Sequence, residues 1–393
     1  MNPTLAIDLG AAFTKVAFRP QPDAPARLLT HPDLSFDEHR FCIPTVAATD
    51  TRTERWVYGA DAMDLPHRGA IEVYRDWKSC LFQPKKERPV GFSSMDEAKP
   101  SVVEFFQFTF PYLRAREVAG RFLGWLREEM IPEMLGHPIP DGVQVQLCVP
   151  DFVIRGDLGH LCEQMMQEAG FENYGFYTLS EPQANLVGIL TKGHNCVDAS
   201  GRPNMSQIFS QVEDEHFKAR ADESLLFVDV GAYTADFALA SLGGFLEASQ
   251  AESGTPSHSV SLGVSRLDEM VVQRADEETQ EALAEMPASG WERLHATLYG
   301  GRPHFGSDTP WAIEYGRELS PDFVNDCVDD FAAAVTDAAI SFLQEHRSGP
   351  VQGAVLTGGG NLMGRVASGL SFSLMRQGIP VIFVSADTPT PEG

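Results

Sequence analysis

The sequence predicts a two-lobed α/β protein built by duplication, and three observations carry that reading. First, residues 225–240 (LLFVDVGAYTADFALA) form an apolar run that stops at Asp229 and Gly231 and resumes after a polar tip, the pattern of a β-hairpin with a functional turn. Second, the N-terminal stretch LAIDLGAAFTKVAF repeats this grammar, placing Asp8, Gly10, Ala11 and Thr14 much as the later stretch places Asp229, Gly231, Ala232 and Thr234. Third, 393 residues exceed what one compact core accommodates, so each hairpin is expected to open its own α/β half, with a cleft between.

The elements follow in order. Residues 27–50 read as strands and loops punctuated by Pro44, and WVYGADA (56–62) as a strand turning through Gly59 into a short helix. Residues 73–82 carry Lys78, and the Pro, Gly and Ser cluster at 84–100 is a surface loop. Residues 114–135 set Val118, Phe122, Leu126 and Met130 at helical spacing, the mark of a packing helix. VQVQLCV (143–149) is a strand halted by Pro150, and residues 155–170 form an amphipathic helix ended by a glycine before a strand at 176–179. A helix at 183–190 hands the first lobe (1–182) to the second (183–393), and residues 191–224, without periodicity, read as an inserted loop. Residues 245–262 read as paired strands, 267–284 and 291–298 as helices of a small cap (about 265–325), and 331–344 as a long helix. GAVLTGGG (353–360) is a buried strand running into three glycines, followed by a helix from Asn361 and a last strand at 381–384.

Composition narrows the function. The 30 Lys and Arg against 55 Asp and Glu give a formal charge of −25, which disfavours nucleic acid and anionic membrane as partners. A local basic run at Lys85, Lys86 and Arg88 reads as a solvated loop. Six cysteines (Cys42, Cys80, Cys148, Cys162, Cys196, Cys327) show no CxxC pair and mostly apolar flanks, which suits free thiols in a reducing, cytoplasmic setting. The N-terminus enters its first strand at once, and no stretch approaches the ~18 apolar residues of a membrane span.

The three glycine-bearing stretches, in this order and separation, resemble the two phosphate loops and the adenosine loop of the actin, sugar-kinase and 70-kDa heat-shock chaperone superfamily. Within it, the chaperone nucleotide-binding domain is the closer resemblance. Residues 116–170 repeat its succession of helix, strand ending in Val-Pro, and helix ending in Ala-Gly; LSEPQA (179–184) resembles its NEPTAA segment and SLGVSRLDEM (261–270) its LGG-x-D-x-D turn. The resemblance implies an actin-like ATPase fold of duplicated ribonuclease-H-like domains. Amides at Gly10, Ala11, Ala12 and at Gly231, Ala232, Tyr233 can form facing anion nests for the phosphates of ATP or ADP. Asp8 and Asp229 would repel phosphate, so they imply an intervening cation, most simply Mg²⁺ held through water, with Asp236 as a further acid of that shell. The resemblance further implies Lys15, Thr14 and Thr234 as phosphate contacts, Glu181 as the acid that positions metal or attacking water, and Gly358, Gly359, Gly360, Asn361 and Met363 against adenosine. Lys78 stands either as the catalytic lysine or as a surface lysine.

Departures from the family pattern qualify the activity. Ala11 and Ala12 stand where the chaperones carry threonines, which weakens hydrolysis more than binding, and Ala232 and Tyr233 replace glycines and narrow the second loop. Against the family pattern, no substrate-binding domain is expected to follow and the helix that recrosses to the first lobe is expected to be missing after Val384, leaving one crossing near 181–190. The glycine pattern at 358–364 is too close to the end of the sequence to open a dinucleotide-binding βαβ unit, and no P-loop, nucleophile elbow or metal-spaced His/Cys set occurs. The expectation is an ATP-binding, slowly hydrolysing switch that regulates a protein partner. The alternatives are a filament-forming bacterial actin-like ATPase, a small-molecule kinase of the same superfamily and a pseudo-ATPase scaffold.

Overall fold

A computed structural model describes residues 3–21, 24–34, 40–66, 68–75, 77–81, 112–150, 153, 159–171, 174–181, 184, 224–241, 257–295, 311–313 and 317–383. The expected loop at 84–100, most of the helix at 183–190 and the inserted loop up to residue 223 lie outside them.

In the first lobe, β1 (Thr4–Leu9) and β2 (Phe13–Arg19) form the N-terminal hairpin, and β3 (Arg27–Leu28) and β4 (Ile43–Pro44) both pair with β2. A separate three-stranded sheet follows, with β5 (Ala47–Asp50) between β6 (Arg55–Tyr58) and β7 (Ile71–Tyr74). Gly59, at φ 60°, turns β6 into α1 (Ala60–Met63), and β7 leads to α2 (Trp77–Leu81). Helix α3 (Tyr112–Trp125) continues through a π-helical turn, Leu126–Met130, into α4 (Ile131–Leu135). The core residues Val118, Phe122, Leu126 and Met130 recur at a strict spacing of four, wider than an α-helical turn. The π turn widens the helix and keeps them on one face. It also accommodates Pro132 in the first turn of α4. Strand β8 (Gln144–Val149) pairs in parallel with β1, and after α5 (Gly159–Glu168), which ends beside Gly170 at φ 83°, β9 (Gly175–Ser180) pairs in parallel with β8.

The second lobe repeats this plan. Strands β10 (Ser224–Val230), β11 (Ala235–Ser241) and β12 (Ser257–Val260) run antiparallel. The cap holds α6 (Val264–Arg274), α7 (Glu277–Glu285), α8 (Ala288–Leu294) and the pair β13 (Trp311–Ile313) and β14 (Arg317–Leu319). The expected helix at 267–284 is thus two helices. Asp276 accepts from Thr279 N–H at 2.9 Å as an N-cap and starts a new helix there. Helix α9 (Pro321–His346) is ten residues longer at its N-terminus than the pattern from Phe331 suggests, because Pro321 opens it at the first helical position. Strand β15 (Val351–Thr357) reaches the triple glycine, a 3₁₀ turn (Gly359–Leu362) carries Asn361, and only then does α10 (Gly364–Arg376) begin, followed by β16 (Val381–Phe383).

Sheet order makes the duplication explicit. The first sheet runs β3-β2-β1-β8-β9 and the second β12-β11-β10-β15-β16, with the same antiparallel hairpin and the same two parallel neighbours. One correspondence expected from sequence changes. Leu9 pairs with Thr14 and Val230 with Ala235, so Thr14 matches Ala235, and Thr234 matches Phe13. The threonines are not equivalent; the aspartates and glycines are.

Each lobe has its own core, one gathering Leu5, Ile7, Leu9, Phe122 and Leu147, the other Val228, Phe237, Phe331, Leu356 and Leu370. Strand alternation buries the neighbours of Asp8 and Asp229 and sends these two carboxylates to the other face. Cys42, Cys148, Cys162 and Cys327 are free thiols, and among the described residues no helix is long and apolar enough to cross a membrane.

Candidate functional site at the facing hairpin turns

The two turns are closed by backbone contacts, and the first leaves its glycine no substitute. Gly10 N–H donates to Asp8 O at 3.0 Å, and a β-carbon on Gly10 would lie 2.2 Å from Phe13 O. Gly231 N–H donates to Thr234 O at 2.8 Å. The carbonyls of Gly231, Ala232 and Tyr233 accept from Val264, Ser265 and Gly263 at 3.1, 2.8 and 2.9 Å, so the start of α6 is fastened to the turn. In a trans peptide a carbonyl and the following N–H point in opposite directions. The amides of Ala232, Tyr233 and Thr234 are therefore turned away from α6. In the first turn, Ala12 O accepts from Thr45 N–H at 2.8 Å, which aims the Phe13 amide the other way. Among the described residues, no protein group accepts from the amides of Ala11, Ala12 or Ala232. Both turns thus present outward amides, the arrangement that binds anions.

Between the turns lies a charge cluster. Lys78 is 5% exposed and its Nζ donates to Glu181 Oε1 at 2.7 Å, which rules out a surface lysine. Burial alone would lower the Lys78 pKa, but Glu181, Asp8 and Asp236 outweigh it and hold the ammonium charged. Glu181 is pushed up to about 7, first by burial and then by Asp236 and Asp8, against the pull of Lys78. Lys15 Nζ stands 3.5 Å from Asp8 Oδ2, both half-exposed. Its pKa is raised, chiefly by Asp8, with Cys42 and Asp229 adding. Asp236, 4% exposed, accepts from Thr234 Oγ1 at 2.7 Å on one oxygen and from Ser259 Oγ on the other.

The structure therefore gathers Asp8, Lys15, Lys78, Glu181, Asp229 and Asp236 into one electrostatic neighbourhood. Other expected site residues lie elsewhere or are otherwise engaged. Thr14 is fully buried with its hydroxyl 2.9 Å from that of Thr45, and the Thr234 hydroxyl is committed to Asp236. Tyr233 Oη is 3.5 Å from Ser261 Oγ, so the ring reaches back over its own lobe. Asn361 donates to Val228 O at 3.1 Å and to Thr357 O, tying β10 to β15, and Met363 is buried in the second core. In the triple glycine, a β-carbon on Gly358 would meet Asp229 Oδ1 at 2.1 Å and one on Gly360 would meet Val230 Cγ1 at 2.3 Å, whereas one on Gly359 meets nothing within 4 Å. Gly358, at φ 86°, also needs the left-handed region. Gly359 alone of the three faces open space.

Sequence reasoning missed Thr45, Ser259, Gly263 and Cys148. A β-carbon on Gly263 would come within 2.3 Å of the Tyr233 backbone. Cys148 pairs with Asp8 across β1 and β8, and its thiol is pushed far above its ordinary range by burial, with Asp8 and Glu181 adding. Gly263 lies within the 261–270 motif, whereas no local signal marks Thr45, Ser259 or Cys148, each placed by contacts between distant segments. Among the described residues, no group of three or more His, Cys, Asp or Glu side chains is spaced to hold a metal directly.

Two lobes of one repeated sheet order, facing each other across Asp- and Gly-bearing hairpin turns, define the actin-like ATPase fold. Among solved structures the chain is similar to the crystal structure of MreB5 of Spiroplasma citri bound to ADP, at a TM-score of 0.58 and 13% identity, over 98% of this chain and 92% of that one. No protein-family model matches the sequence, and no curated protein matches it. At this identity the likeness concerns the fold alone, and it does not single out the chaperone branch to which the sequence motifs point.

Proposed function

We propose that this chain binds ATP and ADP between the two hairpin turns, hydrolyses ATP slowly, and uses nucleotide state to control assembly with further copies of itself, as a bacterial actin-like ATPase. The observation that carries the reading is the buried Lys78–Glu181 pair, 2.7 Å apart, beside two turns whose amides point outward. The similarity to ADP-bound MreB5 along nearly the whole chain supports the same reading. The outward amides of both turns supply an anion cradle, and Lys15 and Lys78 supply positive charge next to it. Glu181, with its pKa about 7, is poised to accept a proton from an attacking water at neutral pH. Four carboxylates against two ammonium groups leave an excess of negative charge that suits a divalent cation. Mg²⁺, when bound with nucleotide, would be held through water by Asp8 and Asp229, with Asp236 behind them, and would offset phosphate charge. Slow turnover follows from the alanines at 11 and 12 and from the commitment of the Thr14 and Thr234 hydroxyls to protein partners.

A chaperone-like switch acting on a protein partner is the second reading. It is favoured by the same ion pair, which joins the two residues that the chaperone resemblance names for catalysis. Calorimetric titration of ATP and ADP with and without Mg²⁺ tests nucleotide binding, and sedimentation with ATP separates the two readings. Nucleotide-dependent pelleting supports assembly, whereas a strictly monomeric profile with tight ATP binding supports the switch.

A further inference from the structure

We infer that the solvent face of α10 is the contact through which one copy of this chain receives the cap of the next. The inference rests on the self-assembly reading above and gives that assembly a surface. Helix α10 buries Val366, Leu370 and Leu374 against its own lobe. Its opposite face, with the 3₁₀ turn before it, exposes Leu362 (63%), Phe372 (62%) and Met375 (59%), three of the four large apolar side chains most exposed among the described residues. Phe372 and Met375, three residues apart on α10, form one stripe, and Leu362 precedes it in the 3₁₀ turn. Arg365, paired with Asp329 of α9, and Arg376, whose guanidinium sits 5.8 Å from the Phe372 ring centroid, flank it. From Ser348 to Ala386 the sequence holds no Asp or Glu, although the chain carries 55. The stripe is therefore an apolar surface with Arg376 beside it, on a strongly acidic protein.

Charge complementarity selects its occupant. A membrane of anionic lipid would meet a chain of net charge −25 and be repelled by most of it. A second copy offers a fitting surface. Helix α7 in the cap presents Glu277, Glu278 and Glu281 to solvent while burying Thr279, Ala282 and Leu283. Helix α7 packs on α6 and β14, whereas α10 packs on α9 and β16. The two surfaces are different patches of one chain, so their contact is heterologous and repeats from copy to copy into a linear assembly. Phe372 would be its apolar anchor, and the arginine and glutamate side chains would set the register.

The test is the critical concentration for pelleting of the full chain with ATP and Mg²⁺. Phe372→Asp with Met375→Asp should raise it about tenfold or more while leaving the melting temperature unchanged, because both side chains are solvent-exposed. Arg376→Glu and Glu281→Lys should each weaken assembly, and the double variant should recover it, because every contact then carries the swapped pair. Wild-type levels of assembly in the Asp variants, or no recovery in the double variant, would overturn the surface while leaving self-assembly standing. A wild-type chain that stays monomeric with ATP, with ADP and without nucleotide would overturn both. Binding of that monomer to vesicles of anionic lipid, lost in the Phe372 variant, would reassign the stripe to a membrane.

Discussion

Lys78→Met asks whether the buried ion pair performs chemistry or only holds the lobe together. Glu181 has its pKa near 7 even with the Lys78 ammonium 2.7 Å away. Removing that charge leaves burial, Asp236 and Asp8, all of which push the pKa further up. The loss of an attraction worth more than about 1.4 kcal/mol moves it by at least about one unit. If Glu181 must be ionised to accept a proton from water, wild-type phosphate release should rise with pH through about 7 and then level off. In Lys78→Met the same rise should begin at least about one unit higher, so that turnover at pH 7 drops about fivefold or more from ionisation alone and recovers in part by pH 9. Stability carries a second signature. A raised carboxyl pKa stabilises the fold fully below the unfolded value of 4.5, and this contribution is lost as pH rises through about 7. The variant extends that loss to higher pH, so the gap in melting temperature between the two proteins should widen from pH 6 to pH 8. An acid limb that stays at the same pH in both proteins would refute the assignment of the limb to Glu181.

The triple glycine separates folding from binding. Gly358→Ala and Gly360→Ala should lower the melting temperature, whereas Gly359→Ala should melt like the wild type and lose ATP affinity in titration, since only its β-carbon enters open space. Asp8→Ala and Asp229→Ala should each abolish Mg²⁺-dependent turnover while part of the nucleotide affinity survives, and unchanged turnover in both would refute the metal-shell role. His295 lies 2.9 Å from Asp268, and although burial pulls its pKa down, Asp268 and Glu292 push it up to about 10. That pair stabilises the cap fully below the unfolded value of 6.5 and loses its effect as pH rises through about 10, so Asp268→Asn should cost about 3 kcal/mol at pH 6 and progressively less at alkaline pH, read by denaturant melts. Arg75→Ala should speed release of a fluorescent ADP analogue, because its guanidinium sits 4.5 Å from the Trp291 ring centroid and joins the first lobe to the cap.

The fold was legible in the sequence because its signals are local and repeated. The Asp-x-Gly turns at 8–10 and 229–231 each end a strand, and the strand ended by Pro150 and the strand running into Gly358 hold equivalent places in the two sheets. Register was less legible. Matching Thr14 to Thr234 looked natural by residue type, but backbone pairing sets Thr14 against Leu9 and turns its hydroxyl to Thr45. The α6–α7 break was hidden for a similar reason, since apolar periodicity continues across Asp276 and only the cap interaction with Thr279 shows where one helix stops. Site residues divide the same way. Asp8, Glu181 and Asp229 sit at strand ends that the pattern marks. Ser259, Gly263 and Cys148 earn their places through pairing with segments 20 to 140 residues distant, as Cys148 does with Asp8 and Gly263 with Tyr233.

Closure of the cleft is where the sequence argument and the structure bear on each other most directly. On the proposed function, nucleotide bridging the two turns would favour closure. The structure adds a contact between the cap and the first lobe. Ala288 of α8 packs with Val46, Ala48, Ala62, Met63 and Val73 of the first lobe, and Arg75 covers Trp291. Apart from Met63 these side chains are only Ala and Val, so the contact offers modest apolar area, and a desolvated cation–π pair contributes about 2 kcal/mol. An energy of that size holds two lobes together only a few tens of times more often than apart. On the proposed function, nucleotide between the turns would add its differential affinity for the closed form to this weak latch, and loss of the terminal phosphate would subtract part of it. After the proposed hydrolysis the cap would not need to be pried from the first lobe. A latch this shallow lets the change of one phosphate decide which state prevails, and the cap that moves with it carries α7 and its exposed glutamates.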